Sequence, residues 1–204
     1  RPPLMSTATA ALGDPAALDP TGAASRRARV VMLTLLSLSF MLAYFDRLLM
    51  VVIGEMVKGE FQLPDKQLSL LTGAAFVVVY GTFGIAAGWL VDKYSRKKIL
   101  AWSLAAWSGV TMLCGAAGSF VQLAAARAGV GIGEAAIVPV GNSAISDLYP
   151  PAKRPLALSI FYVGGMVGIL GTFILGTWIA QTYGWRAAFL VAGPPGILLA
   201  IVVA

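Results

Sequence analysis

Polar positions along this chain fall in short clusters and apolar positions in long runs. Six runs stand out, at 30–53, 68–91, 99–120, 123–145, 158–180 and 187–204. A bilayer core about 30 Å thick needs about 20 predominantly apolar residues in a helix to cross it. Each run therefore predicts a membrane-crossing helix, and the fold class read from the pattern is all-α and integral membrane, with six transmembrane helices. The fourth run is the weakest, because Arg127, Glu134, Pro139 and Asn142 interrupt it. Only a few residues around "GSFVQ" separate the third run from the fourth, which predicts a tight hairpin there.

The breaks between runs set the direction. Arg26, Arg27 and Arg29 precede the first run, Lys93, Arg96, Lys97 and Lys98 follow the second, and Lys153 and Arg154 follow the fourth. The opposite side carries only Lys58, Lys66 and Arg186. Short loops rich in Lys and Arg stay in the cytoplasm, so nine cations against three place the amino terminus inside. In a bacterium the corresponding location is the inner membrane. Residues 1–25, rich in Ala, Pro, Thr and Gly, bury too little apolar surface to fold and read as a disordered cytoplasmic tail. The last run meets the chain end with no polar loop, so the sequence reads as truncated, with residues 26–204 as one six-helix domain.

Composition agrees with the pattern. Hydrophobic residues make up 58% and charged residues 12%, against about 25% charged in an ordinary soluble domain. The net charge of +6 does not indicate nucleic acid, because the cations sit in inter-run breaks without the interleaved aromatics of a single-strand binder. One cysteine, Cys114, permits no intrachain disulfide. There is no histidine, which removes His-based metal sites, His-assisted nucleophiles and a His proton relay. With no GxSxG or HExxH motif either, an intramembrane enzyme has no chemistry to draw on, and no cofactor or metal is implied. Any proton carried near neutral pH would have to ride on a carboxylate.

Charged side chains deep in a membrane cost at least about 2.5 kcal/mol each and face a bundle interior or an aqueous cavity. Asp46 and Arg47 in the first run and Arg127 and Glu134 in the fourth are the candidates; Glu55, near the outer end of its run, reads as a solvated interfacial charge. At about 100° per residue, positions 127 and 134 share one helix face. With a rise of about 1.5 Å per residue, Asp46 and Arg127 lie at similar depth, about 7 Å to the outer side, and Glu134 near the midplane. Asp46 is therefore expected to pair with Arg127, Glu134 to stay unmatched, and Arg47 to reach across the cavity or meet a substrate. The alternative is a fixed ion pair that merely pins two helices.

Gly129 and Gly133, like Gly164 and Gly168, have GxxxG spacing, which lets helix backbones approach closely in lipid. Pro139, Pro194 and Pro195 are expected to interrupt the fourth and sixth helices.

The break "GWLVDKYSRKKIL" holds Gly88, Asp92, Lys93, Arg96 and Lys97. It resembles the loop signature G-x-x-x-D-[RK]-x-G-[RK]-[RK] of the major facilitator superfamily, with Ser95 where Gly is usual. "YFDRLLM", "RAGVGIGEA", "SDLYPPAKRPLALSIFYVGGMVG" and "TYGWRAAFLVAGPPG" further resemble bacterial Spinster-like members, whose relatives move lysolipids and sphingoid lipids. Anion symporters of the superfamily share a similar fourth-span pattern.

The resemblance implies two six-helix halves around a cavity that opens alternately to either side, with this chain as the amino-terminal half. Its partners would be the missing carboxyl-terminal half, or a second copy, together with the lipid bilayer. The implied activity is secondary active transport of an amphipathic or anionic small molecule, such as a lysolipid or sphingoid lipid, coupled to protons. Asp46, Arg47, Arg127 and Glu134 would form the coupling and substrate site. Gly88, Asp92, Lys93, Arg96 and Lys97 would form a cytoplasmic gating loop, with Asp92 and Arg96 in a latch. An organic-anion symporter and a non-transporting membrane scaffold are the competing readings.

Overall fold

The computed structural model describes residues 26–204, side chains 74 and 75 excepted, so the expectation for the 1–25 tail lies outside the described residues. These residues form six helical passages: α1 (Arg26–Phe61), α2 (Asp65–Lys93), α3 (Arg96–Gly115), α4 (Phe120–Leu148), α5 (Pro151–Tyr183) and α6 (Trp185–Val203). All but α3 are long and apolar enough to cross a membrane. The third run was expected to span 99–120, yet its helix ends at Gly115, and Ser103, Ser108 and the basic first turn dilute its apolarity.

The turns follow from local chemistry. α1 closes with Gln62 in the left-handed region at φ 52° and Leu63 N–H donating to the Lys58 carbonyl at 3.0 Å, a Schellman closure without glycine. The Ser119 hydroxyl caps α4 by accepting from Gln122 N–H at 3.3 Å, while the Gln122 side-chain oxygen accepts from Gly118 N–H at 2.9 Å. This is the expected hairpin. α5 passes to α6 through Gly184 alone, at φ 86°.

Small residues set the helix contacts. A Cβ at Gly164 or Gly168 would strike the Ser37 or Met41 carbonyl of α1, so α5 lies directly on the α1 backbone. A Cβ at Gly133 would come within 2.7 Å of Trp107, and one at Gly129 within 3.1 Å of Val110, both on α3. Gly193 and Gly196 of α6 meet Met112 and Ser108 from the other side of α3. The Gly164–Gly168 spacing thus serves backbone approach, and at Gly129 the near neighbour is instead the Val110 side chain.

Proline behaves differently in the two helices expected to break. α4 is interrupted at Ala135–Ala136, four residues before Pro139, whose missing N–H leaves the Ala135 carbonyl without its usual donor. α6 stays helical through Pro194 and Pro195, so no interruption occurs there. Two π-helical turns, Leu70–Ala74 in α2 and Thr172–Gly176 in α5, depart from α geometry.

Candidate functional site

The four intramembrane charges converge between α1 and α4. Arg127 Nη1 lies 3.5 Å from Asp46 Oδ1, both side chains almost wholly buried, and Arg127 Nη2 donates to the Arg47 carbonyl at 3.3 Å. The Thr111 hydroxyl of α3 donates to Asp46 Oδ2 at 2.6 Å. Both carboxylate oxygens of Asp46 are therefore occupied, as the similar depths of Asp46 and Arg127 anticipated.

Glu134 is not unmatched. Its Oε2 accepts from Arg47 Nη2 at 2.8 Å and Nε at 3.2 Å, while Oε1 is buried and has no hydrogen-bond partner among the described residues. Cα depth misjudged this pair, because the long Arg47 side chain closes a gap of roughly 8 Å that helix rise alone would leave. Arg47 remains 21% exposed and Glu134 is fully buried, so Arg47 is the member that reaches open space. Glu134 is also the last residue before the Ala135–Ala136 interruption of α4.

Aromatic rings complete the setting. The Arg47 guanidinium lies 4.4 Å from the Tyr80 ring centroid, 4.9 Å from Tyr44 and 5.0 Å from Phe76. Phe76 also faces Arg127 at 5.4 Å, so one buried ring contacts both guanidinium groups. Each such contact contributes about 0.5–2 kcal/mol, more when desolvated. Phe76 and Tyr80 sit one turn apart in α2, just beyond its π turn. The Thr172 hydroxyl, in the π turn of α5, donates to the Phe45 carbonyl at 2.9 Å, beside Asp46. None of these supports stood out in the sequence. For Phe76 and Tyr80 the available signal was their i, i+4 spacing.

In the α2–α3 loop Arg96 pairs with Asp147 near the end of α4, a residue that did not stand out in the sequence. Asp92 is exposed, Lys93 lies 4.8 Å over the Trp89 ring, and Lys97 is half-buried. A Cβ at Gly88 would meet open space, so that glycine is not required by packing within this chain. On the opposite rim Glu60 Oε2 accepts from Trp185 Nε1 and Arg186 Nη1, each at 2.7 Å, and Arg186 Nη2 donates to the Ala117 carbonyl at 3.0 Å. This contact ties the ends of α1 and α6 to the α3–α4 turn. Glu55 is exposed and 3.9 Å from Lys58, as read from sequence.

Residues 35–204 match the family model of the Major Facilitator Superfamily. An MFS-type efflux pump of Mycolicibacterium smegmatis is 33% identical over 78% of this chain and 37% of its own length. A probable sulfoacetate transporter of Cupriavidus necator is 32% identical over 82% of this chain and 39% of its own. Among solved structures, an inward-facing, occupied bacterial homolog of the human lysosomal transporter Spinster aligns with a TM-score of 0.77 at 32% identity, over 88% of this chain and 44% of that one. The chain thus spans well under half the length of the curated relatives it matches.

Proposed function

Because the chain belongs to the Major Facilitator Superfamily, we propose that it supplies the amino-terminal half of a secondary transporter that moves an anionic small molecule by alternating access, coupled to protons at Glu134. The full transporter would pair it with a second six-helix unit, either a carboxyl-terminal half or another copy. Its setting would be a bacterial inner membrane.

One observation carries this reading: the carboxylates of two adjacent arginine–carboxylate pairs differ in saturation, although Arg127 Nε, like Glu134 Oε1, is buried without a partner among the described residues. Asp46 has a partner on each oxygen, Arg127 on one and Thr111 on the other. Glu134 keeps Oε1 free, and a proton can settle there without breaking a hydrogen bond. Protonation removes the negative charge that holds Arg47. The guanidinium, still stacked among Tyr44, Phe76 and Tyr80, is then available to a substrate anion. Asp46 and Arg127 would hold α1 to α4 throughout, and the Glu134–Arg47 pair would trade proton against substrate. A ligand that favours one state shifts the balance between outward- and inward-open forms only through such differential contacts.

The similarity to a sulfoacetate transporter favours a compact organic anion. The similarity in sequence and fold to the Spinster homolog favours a second reading, an amphipathic lysolipid, or a phosphorylated sphingoid lipid, whose anionic head would meet Arg47. Both make the same demand on the site. Proteoliposomes of the full-length protein separate them: radiolabelled sulfoacetate and a fluorescent lysophospholipid are offered with and without an imposed proton gradient. Glu134→Gln mimics the protonated state, and is expected to retain substrate exchange while losing gradient-driven accumulation. Undiminished accumulation in that variant would remove Glu134 as the coupling group.

A further inference from the structure

We infer that a groove between α1 and α5 binds one acyl chain of an anionic phospholipid, in the leaflet on the amino-terminal side, with its phosphate on an arginine cluster at the groove end. The groove encloses about 450 Å³ and is walled by residues that include Val30, Thr34, Leu38, Met41, Val163 and Val167. That volume falls within the roughly 300–1,000 Å³ of ordinary ligand clefts. Its few hydroxyls are engaged by helix carbonyls: Thr34 donates to the Val30 carbonyl at 2.9 Å and Ser37 lies 3.5 Å from the Ile160 carbonyl. The wall offered to a ligand is therefore apolar. From Val30 to Met41 it runs about 16 Å, close to half of a bilayer core of about 30 Å. A single leaflet's acyl chain fits that length.

Charge at one end selects the head. Gly164 packs on Ser37 and Gly168 on Met41, so α1 and α5 run parallel, and the cations that open them, Arg26, Arg27 and Arg29 on one and Lys153 and Arg154 on the other, gather at the same end of the groove. Tyr149 fastens the two helix starts together. Its hydroxyl donates to the Arg29 carbonyl at 3.0 Å, and its carbonyl accepts from Arg154 Nε at 2.9 Å. Burial pushes the Tyr149 phenol up, so it keeps the proton that this bond requires. Among the described residues no carboxylate pairs with Arg26, Arg27, Arg29, Lys153 or Arg154, and Asp147, two residues before Tyr149, is taken by Arg96. Apolar wall and unneutralised cations meet as the two ends of a phospholipid do, and basic pockets between helices hold anionic head groups in this way.

The site lies apart from the Arg47–Glu134 pair and does not depend on the transport reading. The test places full-length protein in phosphatidylcholine nanodiscs with a trace of phosphatidylglycerol or phosphatidylcholine carrying an acyl-chain photocrosslinker, and maps labelled peptides. Labelling of 30–41 and 160–167 is expected to favour the phosphatidylglycerol probe, and each cation removed, in Arg27→Gln or Arg154→Gln, is expected to lower it about fivefold. Val163→Trp, which fills the groove from an exposed position, should reduce labelling by both probes. Equal labelling by the two probes would reduce the groove to unselective lipid contact. Absence of labelling, because other segments of the protein cover the groove, would also overturn the assignment.

Discussion

At the scale of single residues, the two ion pairs make opposite demands on stability. Arg127 and Asp46 are both buried, so removing one leaves the other charged and uncompensated, at a cost of about 3–5 kcal/mol. Arg127→Gln should therefore lower thermal stability in detergent sharply, and adding Asp46→Asn should recover most of the loss, since both partners are then neutral. Glu134→Gln should cost far less, because Arg47 remains partly solvated and stacked on three rings. A melt in which Glu134→Gln matched Arg127→Gln would contradict this division of labour. All four charges were legible in the sequence, because an ionised group in an apolar run is conspicuous. Their pairing was half legible: Cα depth matched Asp46 to Arg127 but could not foresee the reach of Arg47. Thr111, Phe76 and Tyr80 went unread, since a hydroxyl or a ring within an apolar run looks the same whether it faces lipid or a cation.

At the scale of elements, the runs foretold the six helices, but their ends were decided by turn chemistry. α1 extends eight residues beyond the apolar run that ends at Ile53, until Gln62 adopts a left-handed φ that a side chain disfavours by about 1–2 kcal/mol. Gln62→Gly should relieve part of that cost and raise the melting temperature. At the α5–α6 junction the geometry already belongs to glycine, so Gly184→Ala should cost roughly 1 kcal/mol or more of stability and lower the melting temperature, although a Cβ there would meet open space. Paired melts of the two variants test backbone conformation apart from packing; shifts in the same direction would refute it. Proline was the poorer guide. Pro139 coincides with a break beside Glu134, yet Pro194 and Pro195 lie within an unbroken helix, because neighbouring helices can absorb the freed carbonyls.

At the scale of the whole molecule, burial is uneven in a way that bears on how the chain sits in a membrane. Half of the most apolar stretch of α4 is buried inside the chain, against 12% of that of α2, so α4 is central and α2 is left to meet lipid or another unit. Trp89 and Tyr94, with Lys93 over both rings, sit where α2 leaves its apolar run, as an interfacial belt would. We propose from the cation count that this end, the arginines opening α1 and the Lys153–Arg154 turn face the cytoplasm, which would put the Glu60–Trp185–Arg186 contact on the outer side. Cysteine scanning checks this directly, since Cys114 is buried and should stay silent. In intact cells an impermeant thiol reagent should label Lys66→Cys and Gln181→Cys, both exposed on the outer rim, while Ala152→Cys and Tyr94→Cys react only after lysis. The reverse pattern would invert the molecule. It would also place the proposed phospholipid groove in the outer leaflet, where the bias toward anionic lipid that its arginine cluster is built to read would be weaker.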